Sequence, residues 1–150
     1  MALEISTVGA KVLYCVADAT DPMPTTGYTE LPNVSAAPEF DMDIESLDAS
    51  DITDTITRYI PGRQDPGTDA TFTLNHTEAV ITAWKALVTA ASASGKVCWW
   101  EYQYPGATTS YFFKGQPVDL GNAGIEQNAV DTIPAKIVPG GGNVWAAKST

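Results

Sequence analysis

The chain has 150 residues, 44% of them apolar, which suffices for one domain with a buried core and excludes a disordered chain. Eighteen acids against eight bases, a net charge of −10, exclude a surface built to grip a phosphate backbone. The start MALEISTVGAKVLYC has no basic and then apolar leader, and nowhere do eighteen apolar residues run together, so neither secretion nor membrane insertion is expected and Cys15 and Cys98 read as reduced thiols.

Along the chain, residues 11–17 read as a first strand, followed by a turn-rich connection through Pro22, Pro24 and Gly27 and a short second strand over residues 28–34. From Glu39 the sequence alternates strictly. Phe40, Met42 and Ile44 are expected on a core face, and Asp41, Asp43 and Glu45 on a fully anionic opposite face. Seven of the eighteen acids lie between positions 39 and 54, a stretch without lysine or arginine.

Residues 47–57, LDASDITDTIT, lose the alternation and expose Ile52 and Ile56 with no local core to enter, so they read as a long loop that orders against a partner surface. Ile60-Pro61-Gly62-Arg63 and Asp65-Pro66-Gly67-Thr68 each fit a type II turn that brings this excursion back. Ala70, Phe72 and Leu74 then alternate with Thr71, Thr73 and Asn75 as a half-buried strand.

Asn75 is placed to cap a helix over about residues 76–94, with Glu78 closing a capping box. Val80, Trp84, Leu87 and Ala91 form its apolar stripe, and Gly95 its stop. Three strand-rich stretches follow at residues 96–104, 110–120 and 124–138, and the run Pro139-Gly140-Gly141-Gly142 opens a flexible C-terminal tail. Short strands on either side of one helix predict a mainly β fold, an antiparallel β-sandwich or partial barrel flanked by that helix, in a single domain.

Chemical motifs are weak. His76 reads as a surface residue at a helix start, and no serine or cysteine sits in a nucleophile context, so no enzyme is expected. Asp41, Asp43 and Glu45 match the first, third and fifth positions of a calcium loop, but Ser46 stands where glycine is needed and Ile52 where a bidentate carboxylate belongs. No metal or cofactor is expected. Trp99 and Trp100 read as one core ring and one on the opposite face for a neighbouring subunit to bury, in preference to a stacking platform for single strands or sugars. The acceptor patterns Asn33-Val34-Ser35 and Asn75-His76-Thr77 read as chance matches.

The order of features, FDMDIESLDASD, then TRYIPGRQDPGTDATFTLN, then one amphipathic helix and paired strands, resembles the major tail tube proteins of long-tailed (siphovirus-type) bacteriophages. The strongest local matches are Ile44-Glu45-Ser46-Leu47-Asp48, Tyr59-Ile60-Pro61-Gly62 and Asp65-Pro66-Gly67 leading to Phe72-Thr73-Leu74-Asn75. The resemblance implies a structural virion protein whose six copies close into a ring, with rings stacked into a hollow tube through which the genome passes.

In that setting Asp41, Asp43 and Glu45 are expected to face the lumen, where they would not hold DNA. Leu47, Asp48, Asp51, Ile52, Asp54, Ile56, Arg58 and Tyr59 are expected in an inter-ring loop shaped by Pro61, Gly62, Pro66 and Gly67. The implied partners are further copies of the chain and tape-measure, tail-terminator and baseplate proteins. The implied location is the phage tail, after assembly in the host cytoplasm. The residues alone leave a second reading, a non-catalytic β-sandwich module for a ligand or glycan.

Overall fold

Runs rich in Val, Tyr, Trp, Phe and Thr favour extended backbone, and they form nine strands around one helix among residues 4–67 and 69–150, the part of the chain described by the computed structural model. In chain order these are β1 (Lys11–Asp18), β2 (Thr29–Glu30), β3 (Val34–Ala36), β4 (Asp43–Asp48), β5 (Tyr59–Asp65), β6 (Ala70–Asn75), α1 (Glu78–Ala91), β7 (Lys96–Gln103), β8 (Thr109–Pro117) and β9 (Thr132–Ala147). Seven strands pair in the order β2-β1-β7-β8-β9-β6-β3, every pairing antiparallel, and the sheet curls into a half-barrel. β4 and β5 form a separate two-stranded sheet.

The expected mainly β architecture with one flanking helix holds, in its partial-barrel form. The core fills the concave face. Phe72 and Leu74 of β6, Trp100 of β7, Phe113 of β8 and Ile137 of β9 meet Val80, Trp84, Leu87 and Ala91 of α1. Two of the three buried indoles have a partner for the N–H, as burial favours: Trp84 Nε1 donates to Val118 O at 2.8 Å and Trp100 Nε1 to Gly115 O at 2.9 Å, while Trp99 Nε1 has none. Phe72 stacks on Trp100 with centroids 5.1 Å apart.

Helix α1 starts later than the capping-box reading predicts. Asn75 still belongs to β6, where it pairs with Thr132 of β9, so the cap passes to Thr77, whose hydroxyl accepts from Val80 N at 3.2 Å. Asn33, in left-handed backbone at φ 57°, donates from its side chain to that hydroxyl at 3.1 Å. His76 lies before the helix and holds Asp131 through Nδ1 at 2.5 Å. The short second strand expected over 28–34 is divided between β2 and β3 by a turn at Asn33.

The stretch expected to be a tail is instead the second half of β9. Tyr111, Phe112 and Lys114 of β8 pair with Trp145, Val144 and Gly141, with two register shifts across the glycine run. Glycine is required there because Gly141 and Gly142 take positive φ of 85° and 69°. The bulges keep the strand paired through the bend of the barrel. Trp99 points to the convex face, as alternation predicts, but Lys114 and Gly142 of its own chain cover it, not a neighbouring subunit. Cys98 is buried, Cys15 is half-buried, and both are free thiols.

Candidate functional site

The alternating segment after Glu39 does not join the main sheet. Phe40 enters the core, its ring 4.4 Å from Phe113, and Tyr102 Oη donates to Pro38 O at 3.0 Å, which pins the chain just before it leaves the body. Regular strand begins at Asp43, and β4 and β5 run out as a hairpin arm with every β4 residue exposed. Ile44, expected in the core, is 51% exposed because the arm has no sheet behind it. The period-2 expectation of a core face for Ile44 and a single anionic opposite face therefore fails for this strand, while Phe40 and half-buried Met42 follow it.

Cross-strand partners share a face. Leu47 pairs with Ile60 on one side of the arm, and Ser46 with Pro61 and Asp48 with Tyr59 on the other, so apolar groups meet solvent on both sides. Asp43 pairs with Asp65, and a bulge opposite Glu45 shifts the register between Ile44 and Ser46. The turn expected at Ile60-Pro61-Gly62-Arg63 is this bulged strand. Proline is tolerated at an open sheet edge, and Gly62 lets the strands approach closely, since a Cβ there would crowd Glu45 O at 3.0 Å. The second expected turn includes Thr68, outside the described residues; before it, Gly67 at φ 102° donates its N–H to Asp65 Oδ1 at 2.8 Å.

The arm's tip, residues 49–58, is ordered by its own carboxylates. Asp48 accepts from Ser50 N at 2.9 Å, Asp51 from Thr53 N at 2.8 Å and Thr53 Oγ1 at 2.6 Å, and Asp54 from Asp51 N at 2.8 Å. Arg58 ties the base of the tip, donating from Nε to Asp54 at 2.9 Å and from Nη2 to Ala49 O at 3.2 Å. The Ser50 N–H holds the Asp48 carboxyl below the ordinary carboxylate range, and the Thr53 hydroxyl and N–H do the same for Asp51. With the polar groups turned inward, Ile52 is 101% exposed and Ile56 78%.

Leu47, Asp48, Asp51, Ile52, Asp54, Ile56, Arg58 and Tyr59 are thus brought together on the distal arm, as the ends of β4 and β5 and the hydrogen-bonded loop over residues 49–58 between them. Asp43 and Glu45 ride on the proximal arm, with Asp41 just before it. Asp69, after the return, bonds Lys136 of β9 at 2.8 Å and fastens the second root.

Two features escaped the sequence reading. Glu101 of β7 is fully buried on the convex face, where its carboxylate accepts from Ser149 Oγ at 2.5 Å, Ser149 N at 3.1 Å and Gln103 Nε2 at 3.1 Å. A lone acid inside the apolar run KVCWWEYQY was its signal. The other is an apolar groove of about 430 Å³ at one end of the sheet, lined by Ile5, Thr7, Tyr104, Ala107, Thr109 and Trp145. Trp145, 60% exposed, stacks on Tyr104 at 6.3 Å and meets Tyr111 edge-on at 5.0 Å. Among the described residues no group of three or more His, Cys, Asp or Glu is placed to hold a metal ion, and no helix is long and apolar enough to cross a membrane.

The architecture is a helix-filled antiparallel half-barrel carrying a projecting two-stranded arm. Three solved structures share this fold. One is a chain of the sheath/tube terminator, in the extended state, of the extracellular contractile injection system PVC; it has TM-score 0.59 and 11% identity over 91% of this chain and 94% of that one. A chain of the anti-feeding prophage tube-terminating cap has TM-score 0.60 and 12% identity over 100% of this chain and 91% of its own. One of the anti-feeding prophage baseplate, 6-fold symmetrised, has TM-score 0.55 and 8% identity over 98% and 96%. No family model matches the chain, and no curated protein matches it in sequence. At these identities the likeness is one of fold, and it is to contractile systems, not specifically to a siphovirus-type tail tube.

Proposed function

We propose that this chain is a structural subunit of a phage-tail-like particle, in which copies close into rings and rings stack into a tube. The observation that carries this reading is the arm. A two-stranded ribbon is at best marginal alone in water, yet this one stands off the body with Ile44, Leu47, Ile52, Ile56, Tyr59 and Ile60 all exposed. Such a surface is a protein interface awaiting its partner. The fold shared nearly end to end with chains of a tube terminator, a tube cap and a baseplate supports a tail component as the setting.

In this reading the protein carries no chemistry of its own and needs no cofactor. The closed ring would be a homohexamer, flanked along the tail by tape-measure, terminator and baseplate proteins. The arm bears Asp43, Glu45, Asp48, Asp51, Asp54 and Asp65 against Arg58 and Arg63. Asp41, Asp43 and Glu45 would border the channel, where like charge leaves a passing polyanion hydrated and mobile instead of bound.

The test is assembly. Purified protein examined by light scattering and negative-stain microscopy should form rings or tubes as concentration rises, and removal of residues 48–55 should leave a folded chain that no longer stacks. A species that stays monomeric at every concentration refutes the proposal.

A further inference from the structure

The arm tip presents exposed Ile52 and Ile56, the Trp145 groove is apolar and open, and no residue of the tip lines that groove within one chain. We infer that the tip of one copy seats Ile52 and Ile56 in the groove formed by Ile5, Tyr104, Ala107 and Trp145 of the next copy. The inference rests on the stacked-subunit reading and adds the receptor surface to it.

Three observations carry it. The first is charge. The tip holds Asp48, Asp51 and Asp54 against a single Arg58, so a receptor must present no carboxylate. Three other clefts on the described surface carry carboxylates: one is lined by Glu30 and Glu39 against Lys11, a second by Asp43, Glu45 and Asp65 against Arg63, and a third by Glu39, Asp41, Asp43 and Asp65 with no cation. The Trp145 groove has no charged lining residue; its flanks carry one charge of each sign, Glu4 next to Ile5 in the chain and Lys148, whose backbone N–H bonds Thr108 O at 2.9 Å.

The second is form. The groove's 430 Å³ falls in the range of built binding clefts, and its stacked aromatic rings offer flat apolar walls to branched aliphatic knobs. The carboxylates of the tip turn back onto its own N–H groups, which leaves the isoleucines as its outer surface. The third is symmetry. A knob and a hole at different places on one chain make a head-to-tail contact, and such contacts propagate instead of closing a dimer. Propagation is what a stack of subunits requires.

The experiment mixes two proteins in a Cys15→Ser background, in which Cys98 is buried. One carries Ile52→Cys and the other Ala107→Cys; the control pairs Ile52→Cys with Lys85→Cys on the exposed face of α1. With a short bis-maleimide, the tip–groove pair should cross-link about tenfold more than the control, because docking raises the effective concentration of the two thiols. Trp145→Ala in the groove partner should abolish the product. Tubes that form without a tip–groove product, equal yields from both pairs, or normal stacking by the Trp145→Ala protein would each overturn the inference and leave the tube reading intact. Absence of any assembly or cross-link at all concentrations would overturn both.

Discussion

Ser149→Ala decides whether the C-terminus is a tail or part of the fold. Its side chain supplies the shortest of three hydrogen bonds to Glu101, at 2.5 Å, and that carboxylate is fully buried with no cation within ion-pair distance among the described residues. Leaving a buried acceptor without its partner costs about 1–3 kcal/mol, so the loss should be about 2 kcal/mol. In a chain of this size that lowers the melting temperature by about 4–8 °C. Removal of residues 148–150 should cost no more, although it takes away two donors, because it also opens Glu101 to water that replaces them. Urea denaturation followed by tryptophan fluorescence reads both variants, at protein concentrations low enough that assembly adds nothing to stability. Surface substitutions stay within about 0.5 kcal/mol of the parent. If Ser149→Ala falls in that band, the clasp on Glu101 contributes nothing and the reasoning is refuted.

Two further outcomes test the packing and the tip. Gly115→Ala would set a Cβ 2.7 Å from Ile137 Cδ1 in the filled half-barrel, and such overpacking costs about 1–3 kcal/mol; Ile137→Val, which removes that methyl, should recover most of the loss in the double variant, as measured by urea denaturation. Because the Asp48 and Asp51 carboxyls are held below their ordinary range, the order they lend the tip is complete above about pH 4 and is lost only as pH falls below it, through the lowered values. The amide resonances of Ser50 and Thr53 should report that loss in a pH titration while those of β7 and β8 stay in place, and a midpoint above the ordinary carboxylate value would contradict the assignment.

The half-barrel was legible where burial and periodicity coincide. Ala70, Phe72 and Leu74 alternate because β6 has a core on one side only, and Val80, Trp84, Leu87 and Ala91 recur at helical spacing because α1 lies on the same core. Alternation around Asp43 carried less information. Period 2 reports a strand, but it is the same for a strand on a core and for a free ribbon, so Ile44 was read as buried and is exposed. Pro61-Gly62 and the Gly140–Gly142 run were read as breaks in structure, and both are bulged strand. Proline and glycine mark where backbone is unusual, and only the neighbouring strand decides between a turn and a bulge. Glu101 and Ser149 lie 48 positions apart, a pairing that no local pattern reveals.

The arm's internal order bears on how it would bind. A segment that folds only on contact gives up much of its interaction energy to ordering, and residues 47–57 looked like such a segment in sequence. The structure shows a different economy of means: Phe40 on Phe113 and Asp69 on Lys136 hold the two roots, Gly62 lets β5 close against Glu45, and Arg58 ties off the tip. Each of these contacts lies within the single chain, so in the proposed assembly part of the ordering cost would be met before a partner arrives, and binding would bury Ile52, Ile56 and their apolar neighbours. Exposed ion pairs such as Arg58 with Asp54 add little to global stability. Their consequence is geometric: they fix the direction in which two isoleucines point, and a repeating head-to-tail contact depends on that direction being the same in every copy.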